Sequence, residues 1–276
     1  MDRRKMLKMT GTALLGTALL GPTAFAAEAK PEEKKDNKKS RRPKALIIGA
    51  HPDDPETCCG GTMIQLRKAG YDVVSVYMTK GERGIVGKTL DEAAAIRVPE
   101  AKAACEILDV KPIFMTQIDG DAQINKERYV EMRELIAAEA PDIVFTHWPI
   151  DSHPDHRVCS LLVYDAWRRL GYNFELFYCE AMSGMQSQCF APTDWVDISD
   201  VAEQKRRACN CHVSQGMDDI YEWHGDMERF RGREFHCDRA EAFVHLRRSN
   251  NDIFYTEYFR RNDTSRWAAR LIGIFC

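Results

Sequence analysis

The chain has 276 residues, 44% of them hydrophobic, enough to bury one full core in one domain or two. A net charge of −3 and a pI near 6.3 give no basic face, so nucleic acid is excluded as an expected partner. Ten cysteines form no small-domain framework, and a chain of this length needs none, so most read as small buried apolar residues.

Residues 1–26 stand apart. Arg3-Arg4, a short apolar stretch Met9–Leu20 and the closing Ala24-Phe25-Ala26 have the form of a secretory signal of the twin-arginine type. The apolar stretch is short for a membrane span, so no stable span is expected after cleavage, and an exported, periplasmic protein is. Residues 27–42 are dense in Lys and Glu without apolar periodicity and read as a disordered linker, leaving 43–276 as the folded domain.

From Lys44 short apolar runs alternate with helical stretches. Strands are expected at Lys44–Gly49, Val73–Met78, Ile113–Thr116, Ile143–Thr146 and Leu176–Glu180. Helices are expected at Gly61–Ala69, from the cap Asp91 to Leu108, at Lys126–Glu139 and at His156–Leu170. A further helix begins at Asp200; on it Cys209 and Cys211 point apart and cannot chelate together. The alternation indicates an α/β fold, a Rossmann-like, mostly parallel sheet with helices on both faces and ligands at the strand carboxyl ends.

Two polar clusters sit at such ends. Ala50–Thr62, AHPDDPETCCGGT, follows the first strand, with Gly60-Gly61 read as opening the helix. His51 and Asp54, three residues apart on a tight turn, supply two faces of a divalent metal site. Asp53 between them points elsewhere and is free to take a proton from a water. The second cluster, Thr146–Arg157, follows the fourth strand and contains His153-Pro154-Asp155-His156. His156 is the third ligand, and His153 reaches the reacting centre without ligating. Either cluster alone suits a polar capping loop; two at two strand ends favour a metal site. Asp119 follows the third strand and faces the same crevice, or else serves as a turn residue before Gly120.

At these clusters the chain resembles the LmbE-like or PIG-L family of metal-dependent de-N-acetylases, which carries A-H-P-D-D-x-E…G-G-T and H-P-D-H-R. Gly81-Glu82-Arg83-Gly84 is similar to the family's G-E-x-G, and Arg97 with Glu100 to its R-x-x-E. Asp197-Ile198-Ser199, Lys205, Ala208, His212, Ser214-Gln215 and Ala240-Glu241-Ala242-Phe243 are similar to its later segments. The resemblance implies metal ligands at His51, Asp54 and His156. It also implies hydrolysis of an N-acetyl group on an amino sugar, a small molecule or a glycan.

In the expected chemistry Asp53 is the base, a charged His153 held by Asp155 stabilises the oxyanion, and Glu56, Arg97 and Asp119 bind substrate. Zinc is the expected ion; two imidazoles and a carboxylate also suit Fe(II). Another metallohydrolase, such as a phosphoesterase, or a non-catalytic carbohydrate-binding protein would share parts of this pattern. A homo-oligomer is compatible with the sequence, which does not specify assembly.

Overall fold

The computed structural model describes residues 41–247. The signal-like stretch, nearly all of the charged linker and the residues beyond Arg247 lie outside the described residues. Within them, seven strands form one sheet. They are β1 (Lys44–Gly49), β2 (Asp72–Tyr77), β3 (Lys111–Phe114), β4 (Ile143–His147), β5 (Glu175–Cys179), β6 (Asp194–Asp197) and β7 (Ala240–His245). The order is β3-β2-β1-β4-β5-β7-β6. The first five strands pair in parallel, while β7 pairs antiparallel with both β5 and β6. The expected mostly parallel α/β sheet is therefore the observed one.

Along β1, alternate residues enter different cores. Ala45 and Ile47 pack in one layer with Met63 and Leu66, and Leu46 and Ile48 in the other with Leu162 and Val163. A strand covered on both faces reads as a continuous apolar run, which is the form of Ala45-Leu46-Ile47-Ile48. The covering helices are α1 (Asp54–Lys68), α2 (Leu90–Leu108), α3 (Lys126–Glu139), α4 (Pro154–Arg169), α5 (Ala202–Cys209) and α6 (Met217–Phe235). Among the described residues no helix is long and apolar enough to cross a membrane, and the nine cysteines there are free thiols.

Strand boundaries move by no more than two residues from expectation, and three helix starts differ for a clear local reason. α1 begins at Asp54, not Gly61, so the two glycines lie inside the helix. A side chain at Gly61 would meet Ile198 Cγ2 at 2.4 Å, and one at Gly60 would meet Lys205 Cγ at 2.8 Å. The glycines thus mark close approach and not a helix start. α2 is capped by Thr89, which forms a capping box with Glu92, so Asp91 is not the cap. α4 begins two residues early because His153 caps it through Nδ1.

The sheet order puts the site where it is. β2 lies on one side of β1 and β4 on the other, so the chain direction across the sheet reverses there. A crevice opens at the carboxyl ends of strands at such a reversal. The loops leaving β1 and β4 carry the two polar clusters into it.

Candidate metal centre

His51, Asp54 and His156 converge at the floor of a cavity of about 530 Å³ that Asp53, Arg97, Asp119 and His153 also line. His51 Nδ1 is 3.3 Å from Asp54 Oδ2, and His156 Nε2 is 3.3 Å from Asp54 Oδ1. The far nitrogen of each ring faces a carboxylate. His51 Nε2 lies 3.1 Å from Asp155 and 3.2 Å from Asp119, and His156 Nδ1 lies 3.3 Å from Asp151. With an ion bound, a proton held on each far nitrogen would leave the near lone pair for the metal, the arrangement that outer carboxylates impose on metal-bound histidines.

The electrostatics agree with a cation site. Burial opposes a charged His51, but Asp119, Asp155 and Asp54 raise its pKa well above the ordinary value. His156 is likewise pushed up to about 9, because Asp54 and Asp151 outweigh burial. Burial alone would raise Asp54; His156 and His147 instead hold it well below the usual carboxylate range. The donor set, two imidazoles and a buried carboxylate, fits a divalent ion.

Two other histidines come close. His147, 1% exposed, places Nε2 3.2 Å from Asp54, but the same atom lies 3.0 Å from the Ala50 N–H and is positioned to accept from it. His147 also stacks on His156, with ring centroids 3.9 Å apart. His153 Nδ1 accepts from the Asp155 N–H at 3.2 Å. Both have a nitrogen committed to the backbone, and the rings of His51 and His156 do not. Three groupings place all their donor atoms within 4.8 Å of one another: His51 with His153 and His156, Asp54 with His147 and His156, and His51 with Asp119 and Asp155; the first two each supply two members of the expected set. The backbone bonds favour the His51, Asp54 and His156 set over them.

Several side chains with expected roles have other partners in the structure. Asp155 aims its carboxylate at His51 and at the Gly120 N–H, 2.6 Å away, so it does not hold His153 in its charged form. Burial, then His51 and His156, lower the His153 pKa, which disfavours the charged ring. Glu56 is fully buried; it accepts from Tyr77 Oη and lies 3.4 Å from His212 Nε2, so it does not touch substrate.

Arg97, 3% exposed, donates to Asp53 Oδ2 at 2.9 Å and to the Pro52 carbonyl. It holds the metal loop through Nη2 while lining the cavity. Gly81 and Gly84 make room for it, since a side chain at either would fall within 2.4 Å of Arg97 Nη1. Glu100 pairs instead with Ser214, its N–H at 2.8 Å and its hydroxyl at 2.6 Å. Asp119 does face the crevice, where its oxygens engage His51 and the Arg83 N–H, so it supports His51.

Asp53 has φ 118 and ψ −32, a conformation that L residues rarely adopt. Such strain persists where the surroundings over-determine it, and here Arg97 grips both the Asp53 side chain and the preceding carbonyl. Burial raises the Asp53 pKa, with Arg97 opposing and Asp54 adding to the rise. Asp151, His147 and His224 were not among the expected site residues. The first two stand inside the Thr146–Arg157 cluster, where their polar character was visible; His224, on α6, carried no such signal.

Comparison with known proteins follows this geometry. The profile described as GlcNAc-PI de-N-acetylase, PIG-L, matches residues 46–167. The chain is 35% identical over 196 residues to diacetylchitobiose deacetylase of Thermococcus kodakarensis, covering 65% of this chain and 72% of that protein. The solved N,N'-diacetylchitobiose deacetylase from Pyrococcus horikoshii is similar at 28% identity and a TM-score of 0.65, over 74% of this chain and 83% of its own. GalB, the 4-carboxy-2-hydroxymuconate hydratase of Pseudomonas putida, shares the fold at 22% identity and a TM-score of 0.68, over 76% of this chain and 99% of its own. From its cluster spacing, its switch-point site and its likeness to the Thermococcus protein, the chain belongs to the PIG-L, or LmbE-like, family.

Proposed function

We propose that the chain is a zinc-dependent N-deacetylase that hydrolyses the acetamido group of an N-acetylglucosamine-like sugar or glycoconjugate. The observation that carries this reading is the convergence of His51 Nδ1 and His156 Nε2 on Asp54 beneath an open cavity. The diacetylchitobiose deacetylases among its relatives support the substrate class. His51, Asp54 and His156 would hold the ion, and Fe(II) suits the same donors. A divalent ion there supplies Lewis acidity toward a water and an amide carbonyl.

The chain's own groups do the rest. Asp53 takes the proton of the attacking water, and its raised pKa makes it a stronger base than a free aspartate. Arg97 fixes its direction. With Nδ1 given to the helix cap, His153 keeps Nε2 for chemistry, and the neutral ring donates from it to the carbonyl oxygen as charge develops. Protonated Asp53 then returns its proton to the leaving amine.

GalB, a hydratase, warns that this fold carries other water additions, but at 22% identity it bears on the fold alone. Paired variants test the assignment. Asp53→Asn should keep its metal and lose roughly 10²–10⁴ in turnover. Asp54→Asn should lose metal, with activity partly restored by excess zinc. The opposite pattern would swap the two roles and overturn the mechanism. The same reading has the protein exported after removal of residues 1–26, and N-terminal sequencing of the exported form should begin at Ala27.

A further inference from the structure

The cavity has two unlike sides. The floor is the metal loop with its carboxylates and imidazoles. Facing it are Met182 and Met185 from the segment after β5, and Met217, Ile220 and His224 from α6. The three α6 positions follow helical spacing, i, i+3 and i+7, and form one stripe on the cavity side. His224 is the polar member of that stripe.

His224 is only 7% exposed, and its Nδ1 has no hydrogen-bond partner among the described residues. A buried polar atom left without a partner costs free energy; Nδ1 is sealed, so the ring meets the cavity through its other edge, where Nε2 is not among the sealed atoms. Burial, then the Lys205 charge, lower the His224 pKa to about 4. The ring is neutral near pH 7 and offers one N–H and one lone pair. It has no part in holding the ion or in the proton transfers above. A largely apolar wall with neutral polar groups, His224 on the helix and Gln186 and Gln215 beside it, suits a pyranose: the C–H face packs on the methionines and isoleucine while a hydroxyl meets the imidazole.

We propose that His224 is a specificity-determining residue that hydrogen-bonds a ring hydroxyl of the amino sugar whose acetamido group meets the metal loop. This rests on the deacetylase reading, and the site so defined takes a single hexosamine unit against the α6 wall.

The test uses the full-length, zinc-loaded protein and acetate release from N-acetylglucosamine and its 3-, 4- and 6-deoxy analogues. Wild type is compared with His224→Phe, His224→Asn and His224→Gln at equal metal content. His224→Phe should raise KM about 3–10-fold with kcat within about twofold, the scale of one neutral hydrogen bond. One deoxy analogue should cost the wild type that same factor and cost His224→Phe nothing further. Asn or Gln, each reproducing one ring nitrogen, should recover most of the loss. Should the Phe variant not fold, whichever of Asn and Gln binds worse must show the same insensitivity to that analogue. An unchanged KM, equal and additive losses for all analogues, or a loss confined to kcat would overturn the role of His224. Absence of acetate release by the wild type from every sugar would instead overturn the deacetylase reading itself.

Discussion

Asp151 illustrates how much of the site depends on groups that never meet the ion. Its Oδ1 lies 3.3 Å from His156 Nδ1 and accepts from the His153 N–H at 2.8 Å, so one carboxylate orients the ligand and the start of its helix. Asp151→Ala should weaken zinc binding about 10–100-fold while leaving turnover at saturating zinc within a few-fold; competition titration with a chromogenic chelator measures it. Arg97 gives a different signature. Because it holds Asp53, Arg97→Ala should lower kcat more than it raises KM. Steady-state acetate release separates the two, and a pure KM effect would return Arg97 to substrate binding.

At the scale of elements, α1 carries Asp54 and is held from behind. Glu241 on β7 accepts from the Gly61 and Thr62 N–H groups, at 2.8 and 2.7 Å, in the middle of the helix. Lys205 on α5, 1% exposed, joins Glu241 at 2.7 Å to Glu228 on α6 at 2.9 Å. Removing the cation leaves two carboxylates buried, so Lys205→Met should destabilise the fold by roughly 3–5 kcal/mol in urea denaturation. A change below about 1 kcal/mol would mean that the network does not brace α1.

Strand positions to within two residues, the two clusters and their common crevice were legible in the sequence because apolar runs and loop chemistry are local signals. The roles of Arg97, Asp155, Glu56 and Glu241 were not. Each is decided by a partner far along the chain, as Glu241 is from Gly61, and spacing carries no record of such contacts. The mid-helix glycines show the same limit, since their reason lies in Ile198 and Lys205 on other elements.

For the whole molecule, the site joins β1 and β4 through charge, so stability and metal loading depend on pH together. His156 is pushed up to about 9 from 6.5, and His51 well above 6.5, by the surrounding carboxylates. Groups raised in the folded state contribute stability that is complete below the unfolded value and lost as pH rises through the folded one. Chelator-treated protein should therefore lose thermal stability between pH 6.5 and 9, followed by calorimetry. Zinc-loaded protein, with the same nitrogens held by the ion, should show a flatter profile in that window. The most direct test of the account is acetate release from a panel of N-acetylated sugars, N-acetylglucosamine and N,N'-diacetylchitobiose among them, by the full-length protein, before and after chelation and after zinc is returned. Release that stops on chelation and resumes with about one zinc per chain is the predicted result. Release unaffected by chelation, or none from the zinc-loaded protein, would contradict it.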